Sequence, residues 1–391
     1  MLKYCRKTIK KSRSFITGLF GGNRIDIFLF FAVAAVLIIV IAGQIFRKVD
    51  SLRRTEISIS RQGRELFGAD ILGALIQEFE KLYPDLRIQV ADGDTDIVFF
   101  DDSEIGSLMA ESALASLRPY IHSETQAGQW VIPLVSYMDI FFYNIDILQA
   151  ANCDRPPKTR ADFLAAARAV AALKTASPLA LGLSEADPLA LRRDIYPWVW
   201  AAGGDLRQSG AENAVLSRAA NDTIAFFAQL YREGLLAPDS FGTTGAQRLE
   251  EFAAGNIAML SASSRDISFL QNNIDGFNFG VTAIPQTAPG KNRLALPGIY
   301  AGISGGCAQS DEAWTFLAYL AGRKQVLEEA LNAIPGNFPS AFPSGYTADD
   351  PLFSKAWEIF EAADIVEYFP AAPLEEETGR IIWEKITEAF K

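Results

Sequence analysis

Acid–base, nucleophilic and metal chemistry each need particular side chains, and this chain has few of them. It holds one histidine, His122, and three cysteines, Cys5, Cys153 and Cys307. Any Ser-His or Cys-His pair must use His122, which lies in Tyr120-Ile121-His122-Ser123-Glu124. That is a surface-loop context, and no Gly-x-Ser-x-Gly elbow accompanies it. One His and three Cys build neither a metal cluster nor a disulfide scaffold. No P-loop is present and no Gly-x-Gly-x-x-Gly follows a strand; Gly203-Gly204 and Gly305-Gly306 read as tight turns. No catalytic residue, metal or cofactor is therefore expected. Carboxylates remain, because glycoside hydrolysis needs two of them about 5–10 Å apart. Asp101 and Asp102 end an apolar strand, where α/β sheets place their sites. Capping the next helix is the other role open to one of them, so an extracytoplasmic glycosidase stays open as one reading.

The elements around these residues alternate. Ile57-Ser58-Ile59-Ser60 has the two-residue period of a strand. Leu72, Leu75, Phe79 and Leu82 follow at helical spacing, and Pro84 closes the segment. Ile88–Val90 and Asp96–Phe100 are two more strands, the second a continuous apolar run suited to burial on both faces. Strand, helix, strand predicts an α/β lobe with a largely parallel sheet. Val131–Tyr143 reads as one long strand. Thr159 caps a predicted helix over Arg160–Leu173 that carries Phe163, Leu164, Ala167, Val170 and Leu173 on one face. Asn221–Glu233 is a second amphipathic helix, ended by Gly234. Phe279–Ile284 is a strand stopped by Pro285, Ser310 and Asp311 open a further helix, and the last 40 residues are mainly helical.

The chain has 391 residues, 36 basic and 47 acidic, for a net charge of −11. Residues 1–24 hold seven of the bases and no acid, leaving 29 bases against 47 acids, net −18, for the rest. Such an acidic body does not bind phosphate backbones, which excludes nucleic acid as a partner. Ile27–Phe46 is an uncharged run of 20 residues, the length of a bilayer-spanning helix, with no polar face. The heavier basic flank precedes it, which puts the N-terminus inside and residues 47–391 outside. A cleaved signal peptide ending near Val40-Ile41-Ala42 is the competing reading. Cys153 and Cys307 are expected as small buried free thiols, with a disulfide as the alternative.

Several of these segments, taken in order, resemble one family. Phe79-Glu80-Lys81-Leu82-Tyr83-Pro84 followed by Ile88-Gln89-Val90 is similar to the first helix and second strand of the extracellular solute-binding proteins of ABC importers, in their carbohydrate-binding, maltose-binding-protein-like group. Asp96–Phe100 with Ala115-Ser116-Leu117-Arg118-Pro119, Ile132-Pro133 with Phe142–Asp146, and Pro157–Phe163 are similar to further blocks. Trp200–Leu206, Phe252–Met259, Gly280-Val281 with Ile284-Pro285, and Ala313–Leu317 complete the set, over about 330 residues. The resemblance implies a two-lobed α/β clamp with discontinuous lobes, preceded here by the transmembrane helix. The divisions are 1–24 as a cytoplasmic basic tail, 25–46 as the anchor and 47–56 as a tether. Lobe one is expected over 57–136 and 284–334, and lobe two over 137–283 and 335–391. Ala91–Thr95 is shorter than the insertion the family places there, which points to a trimmed first lobe.

The function implied is that of a substrate-binding subunit, probing no bond chemistry, that takes a sugar or oligosaccharide between its lobes and presents it to a membrane permease. A membrane-tethered ligand sensor with the same clamp is the alternative. The apolar run, in which the chain departs from many family members, is expected to hold a monomer at the cytoplasmic membrane, with its binding domain on the periplasmic or extracellular side. Sugar sites combine aromatic platforms with carboxylates, amides and Arg. By position in the motifs, the candidate ligand residues are Tyr137 in the crossover, Glu185, one of Trp198 and Trp200, Arg265, Tyr300, and Asn337 with Phe338, beside Asp101 and Asp102. Trp198 and Trp200 are two apart, so on a helix both cannot face one ligand.

Overall fold

Alternating apolar side chains at Ile57 and Ile59, both fully buried, and at Leu86 and Ile88 build strands β1 (Thr55–Ser60) and β2 (Leu86–Ala91). The structure, a computed structural model, describes residues 36, 54–101, 104–121, 129–187, 190–204, 217–287, 292–323, 326–327, 334–335, 350–368 and 376–391. The expected basic tail and the apolar run over 27–46 fall outside these, apart from Val36. Among the described residues no helix is long and apolar enough to cross a membrane. The chain divides into two compact units, residues 1–56 with 82–87, and residues 57–81 with 88–391. Within the first, the Thr55 N–H donates to the Asp85 carbonyl.

The larger unit holds two main sheets. Besides β1 and β2, its strands are β3 (Ile97–Asp101), β4 (Ile132–Ser136), β5 (Asp139–Asn144), β6 (Ser177–Leu179), β7 (Ile257–Ser263) and β8 (Phe279–Thr282). They continue with β9 (Arg293–Leu296), β10 (Gly298–Ile303), β11 (Ile334–Pro335) and β12 (Ile365–Tyr368). The first sheet has the order β11-β4-β10-β3-β1-β2 and the second β6-β7-β5-β8, while β9 and β12 pair separately. β1 and β3 are parallel, but β10 runs antiparallel to both β3 and β4. The first sheet is thus mixed rather than largely parallel, because β10 enters from the other lobe in the opposite sense.

Each sheet is covered on its faces. In β5, Phe141 points into one core with Phe163, Leu179, Trp198 and Met259. Its neighbours Ile140 and Phe142 point into another with Phe252, Leu260 and Val281. This two-residue alternation gives the second sheet a core on each side. The helix Arg160–Leu173 forms as expected, with a reciprocal Thr159–Asp162 capping box and Phe163, Ala167 and Val170 buried. In the first sheet, Phe100 and Tyr300 share a core with Ile105, Leu114 and Val131. On the helix Arg61–Phe67, Phe67 meets Phe99 edge to face at 5.4 Å, and a Cβ on Gly63 would stand 2.5 Å from the Phe99 ring. Glycine there lets the helix lie directly on the sheet.

The run Val131–Tyr143, expected as one strand, is two. β4 ends at Ser136 in the first sheet and β5 starts at Asp139 in the second. Both are buried, so hydrophobic pattern carries no mark of the change of sheet. Leu294 and Leu296 of β9 pack in the second lobe's core with Phe353 and Trp357. The chain therefore re-enters the first sheet at Gly298, 14 residues later than the expected boundary at 284. Cys153 and Cys307 are free thiols, each half-buried.

Candidate functional site between two sheet edges

The site follows from where strands end. β1 and β3 run parallel and finish at Ser60 and Asp101. Ile299 at the start of β10 pairs with Asp101, and Gly298 pairs with Ser136 at the end of β4. These ends share one edge of the first sheet. In the second sheet β6 and β7 are parallel and end at Leu179 and Ser263, with Asp139 at the start of β5 paired to Ser263. The crossing strands join these two edges. The Tyr137 N–H donates to the Pro297 carbonyl at 2.7 Å, binding the outgoing crossing to the returning one. The Ser264 N–H donates to the Met138 carbonyl at 2.7 Å, and the Ser264 hydroxyl accepts from the Met138 N–H at 2.9 Å. Loops leaving both edges therefore face one another across the crossing, as expected where α/β sheets bind solutes.

Arg265 spans that gap. One Nη donates to the Leu66 carbonyl of the first lobe at 3.1 Å, and its guanidinium carbon lies 5.6 Å from the centre of the Tyr137 ring. Tyr137 is 4% exposed, and its hydroxyl has no hydrogen-bond partner among the described residues. Burial pushes its phenol up to about 12, against a downward pull from Arg265. On the first lobe's edge, Gln62 donates to Glu104 at 2.6 Å. Burial raises the Glu104 carboxyl, with Gln62 lowering it and the charge of Asp101 raising it further. Asp101 is half-buried; Asp102 lies outside the described residues.

On the second lobe's edge, the loop after β6 carries Glu185. Its side chain is exposed and lines a recess with Ser184, Ala186, Phe241, Trp383 and Thr387. Trp383 meets Phe241 edge to face at 5.9 Å. A carboxylate beside an aromatic wall is the pairing a sugar ring requires, one for hydroxyls and one for its CH face.

This loop is held by buried charge. Asp194 is fully buried and takes the Gly182 N–H at 3.2 Å, with Arg248 at 3.2 Å and Arg193 at 3.1 Å. Arg193 also pairs with Asp187 at 3.0 Å, and Asp187 accepts the Gly245 N–H. Burial raises the Asp194 carboxyl, and the two guanidinium groups oppose the rise. Each end of the loop Gly182–Asp187 is thereby fixed, which pre-organises Glu185. Arg192 pairs with Asp139 at 2.9 Å and fixes the start of β5 in the same way.

The other candidates do not gather here. Trp198 is fully buried, ringed by Phe141, Phe163, Phe226 and Phe227 at 5.5–5.7 Å, so no face is left for a solute. Trp200 is 7% exposed and lies under the Arg293 guanidinium at 5.2 Å. Tyr300 is 1% exposed and stacks on Phe100 within the first lobe. Asn337 and Phe338 fall outside the described residues. Sequence reasoning missed Gln62, Glu104, Phe241 and Trp383. Trp383 follows Ile381-Ile382 and reads as core; only its distance from Phe241 in the fold reveals the recess. Among the described residues no group of three His, Cys, Asp or Glu side chains could hold a metal ion.

No curated protein matches the chain in sequence. Solved structures match its fold. The GacH receptor of Streptomyces glaucescens, solved unliganded and with acarbose, superposes with a TM-score of 0.69 at 18% identity, covering 86% of this chain and 93% of the receptor. The cyclic alpha-maltosyl-1,6-maltose binding protein of Arthrobacter globiformis gives 0.68 at 17% identity, covering 86% and 94%. The sugar-binding protein MalE of Xanthomonas citri gives 0.63 at 16% identity, covering 86% and 91%. Residues 74–326 match the sequence profile of the bacterial extracellular solute-binding proteins, and the chain belongs to that family.

Proposed function

We propose that this chain is the substrate-binding component of an ABC importer, taking a sugar or oligosaccharide between its two sheet edges. The observation that carries the reading is the recess where Glu185 adjoins Trp383 and Phe241, in the loop after β6, on the sheet edge from which Arg265 also projects. The saccharide ligands named for the structural neighbours support the class. Carboxylate, amide and aromatic groups from both lobes would then hold one solute, so that binding draws the lobes together around it. A permease reads that closed form, and the chain itself makes and breaks no bond. The apolar run over 27–46 serves in this account as a membrane anchor, with the binding domain on the far side as a monomer. Tethering raises the effective concentration beside the permease.

A thermal-shift panel on the purified full chain tests the ligand class. Oligosaccharides are expected to raise the melting temperature, and mass spectrometry after incubation is expected to recover them intact. A shift with peptides or polyamines and none with any saccharide overturns the class. Recovery of cleaved saccharide overturns binding without chemistry.

A further inference from the structure

The guanidinium groups beneath the site are matched by aspartates. Arg192 pairs with Asp139, Arg193 with Asp187 and Asp194, and Arg248 with Asp194. Arg265 is different. It is exposed, stands on the sheet edge that faces the first lobe, and has no ion pair among the described residues. Of the five N–H donors of an arginine, it uses one on the Leu66 carbonyl. Its neighbour Asp266 accepts the Ser263 N–H at 3.0 Å and makes no ion pair with Arg265, although the two charges attract and Asp266 also raises the Tyr137 phenol. Under the guanidinium lies Tyr137, whose buried hydroxyl has no partner among the described residues. A hydroxyl left so is a donor available to a group that arrives with the solute.

We propose that the solute is a saccharide bearing a carboxylate, a uronate unit, and that Arg265 and Tyr137 bind that group between the lobes. This rests on the saccharide reading above and names the substrate class of the same site. A carboxylate accepts only, so one group takes both the planar guanidinium fork and the phenol O–H. A neutral sugar satisfies the hydroxyl but leaves the guanidinium fork without a carboxylate to pair with once closure removes water. A dianionic phosphate ester fits less well. One guanidinium offsets one charge, and Glu185, with no ion pair among the described residues, stands on the same sheet edge. The phenol, held high by burial, stays a donor through neutral pH.

The test is titration calorimetry on the purified full chain with matched pairs. Gluco-, galacto- and mannuronate oligosaccharides are each compared with their carboxyl-reduced neutral counterparts, and sulfated and phosphorylated sugars form a further arm. The uronate of one pair is expected to bind roughly 10- to 100-fold more tightly than its neutral counterpart. Arg265→Gln is expected to remove that preference, Arg265→Lys to keep part of it, and Tyr137→Phe to weaken the uronate more than its neutral counterpart. Unchanged melting temperatures show that the variants fold. Equal or better binding of the neutral member overturns the proposal and leaves the saccharide reading intact, as does a uronate preference that survives Arg265→Gln. Tighter binding of a sulfated or phosphorylated sugar overturns the carboxylate. Binding of no saccharide at all overturns both.

Discussion

Asp96 stands at the end of β3 away from the site and ties two strands together. Its carboxylate accepts the Ser58 N–H at 2.8 Å and the Ser58 hydroxyl at 2.6 Å. Burial pushes the carboxyl up, but these Ser58 hydrogen bonds pull it further down, and the net shift is below its ordinary 3.8. A carboxyl lowered in the folded state stabilises above its unfolded pKa and loses that contribution as pH falls through the folded value. Asp96→Asn is therefore expected to flatten the fall in stability below about pH 4, measured by urea titration at several pH values. An unchanged acid limb contradicts this assignment. At the site, Trp383→Ala is expected to weaken saccharide binding about five- to tenfold, the worth of one aromatic platform. Equal affinity in wild type and variant removes Trp383 from the site. The sequence allowed Glu185 to be singled out because it lies in the polar stretch before the aromatic helix. Trp383 and Phe241 lie 142 positions apart in the chain and meet only by folding, so no local pattern pairs them.

The helix Tyr196–Ala201 shows why spacing alone left Trp198 and Trp200 undecided. Helical geometry correctly sends the two rings in different directions, but both directions are packed. Trp198→Ala removes the centre of an aromatic cluster and is expected to cost about 3–5 kcal/mol in chemical denaturation. A loss below about 1 kcal/mol contradicts its place in the core. The loop after β6 gives a second test. A Cβ on Gly182 would stand 2.8 Å from the Thr244 carbonyl carbon and 2.9 Å from the Gly245 nitrogen, both backbone atoms. Gly182→Ala must shift the loop that carries Glu185, costing about 1–3 kcal/mol and weakening saccharide binding as well. Retained affinity in that variant separates the loop from the site. Among elements, Arg160–Leu173 was legible to the residue because its capping box and one-sided apolar stripe are local. β12 was not, because it is paired with β9 rather than marked by its own composition.

At the scale of the whole molecule, the two-lobed plan was legible from motif order, which also led to the expectation of discontinuous lobes. Motif order placed Tyr137 in the crossover, and the hydrogen bonds of the Tyr137 and Ser264 N–H groups show how that crossing is tied. Shortage of His and Cys also reads differently with the fold in hand. The charge beneath the site is spent on aspartate–arginine pairs that fix loops, a design for holding a solute at two edges. The most direct measurement is the distance between spin labels, one at Ser107 in the first lobe and one at Gln247 in the second, in the full chain with Cys5, Cys153 and Cys307 replaced by serine. A clamp that holds its saccharide between the lobes predicts a shorter label distance on binding, at the saccharide concentration where calorimetry reports saturation. Saturating binding with an unchanged distance contradicts it.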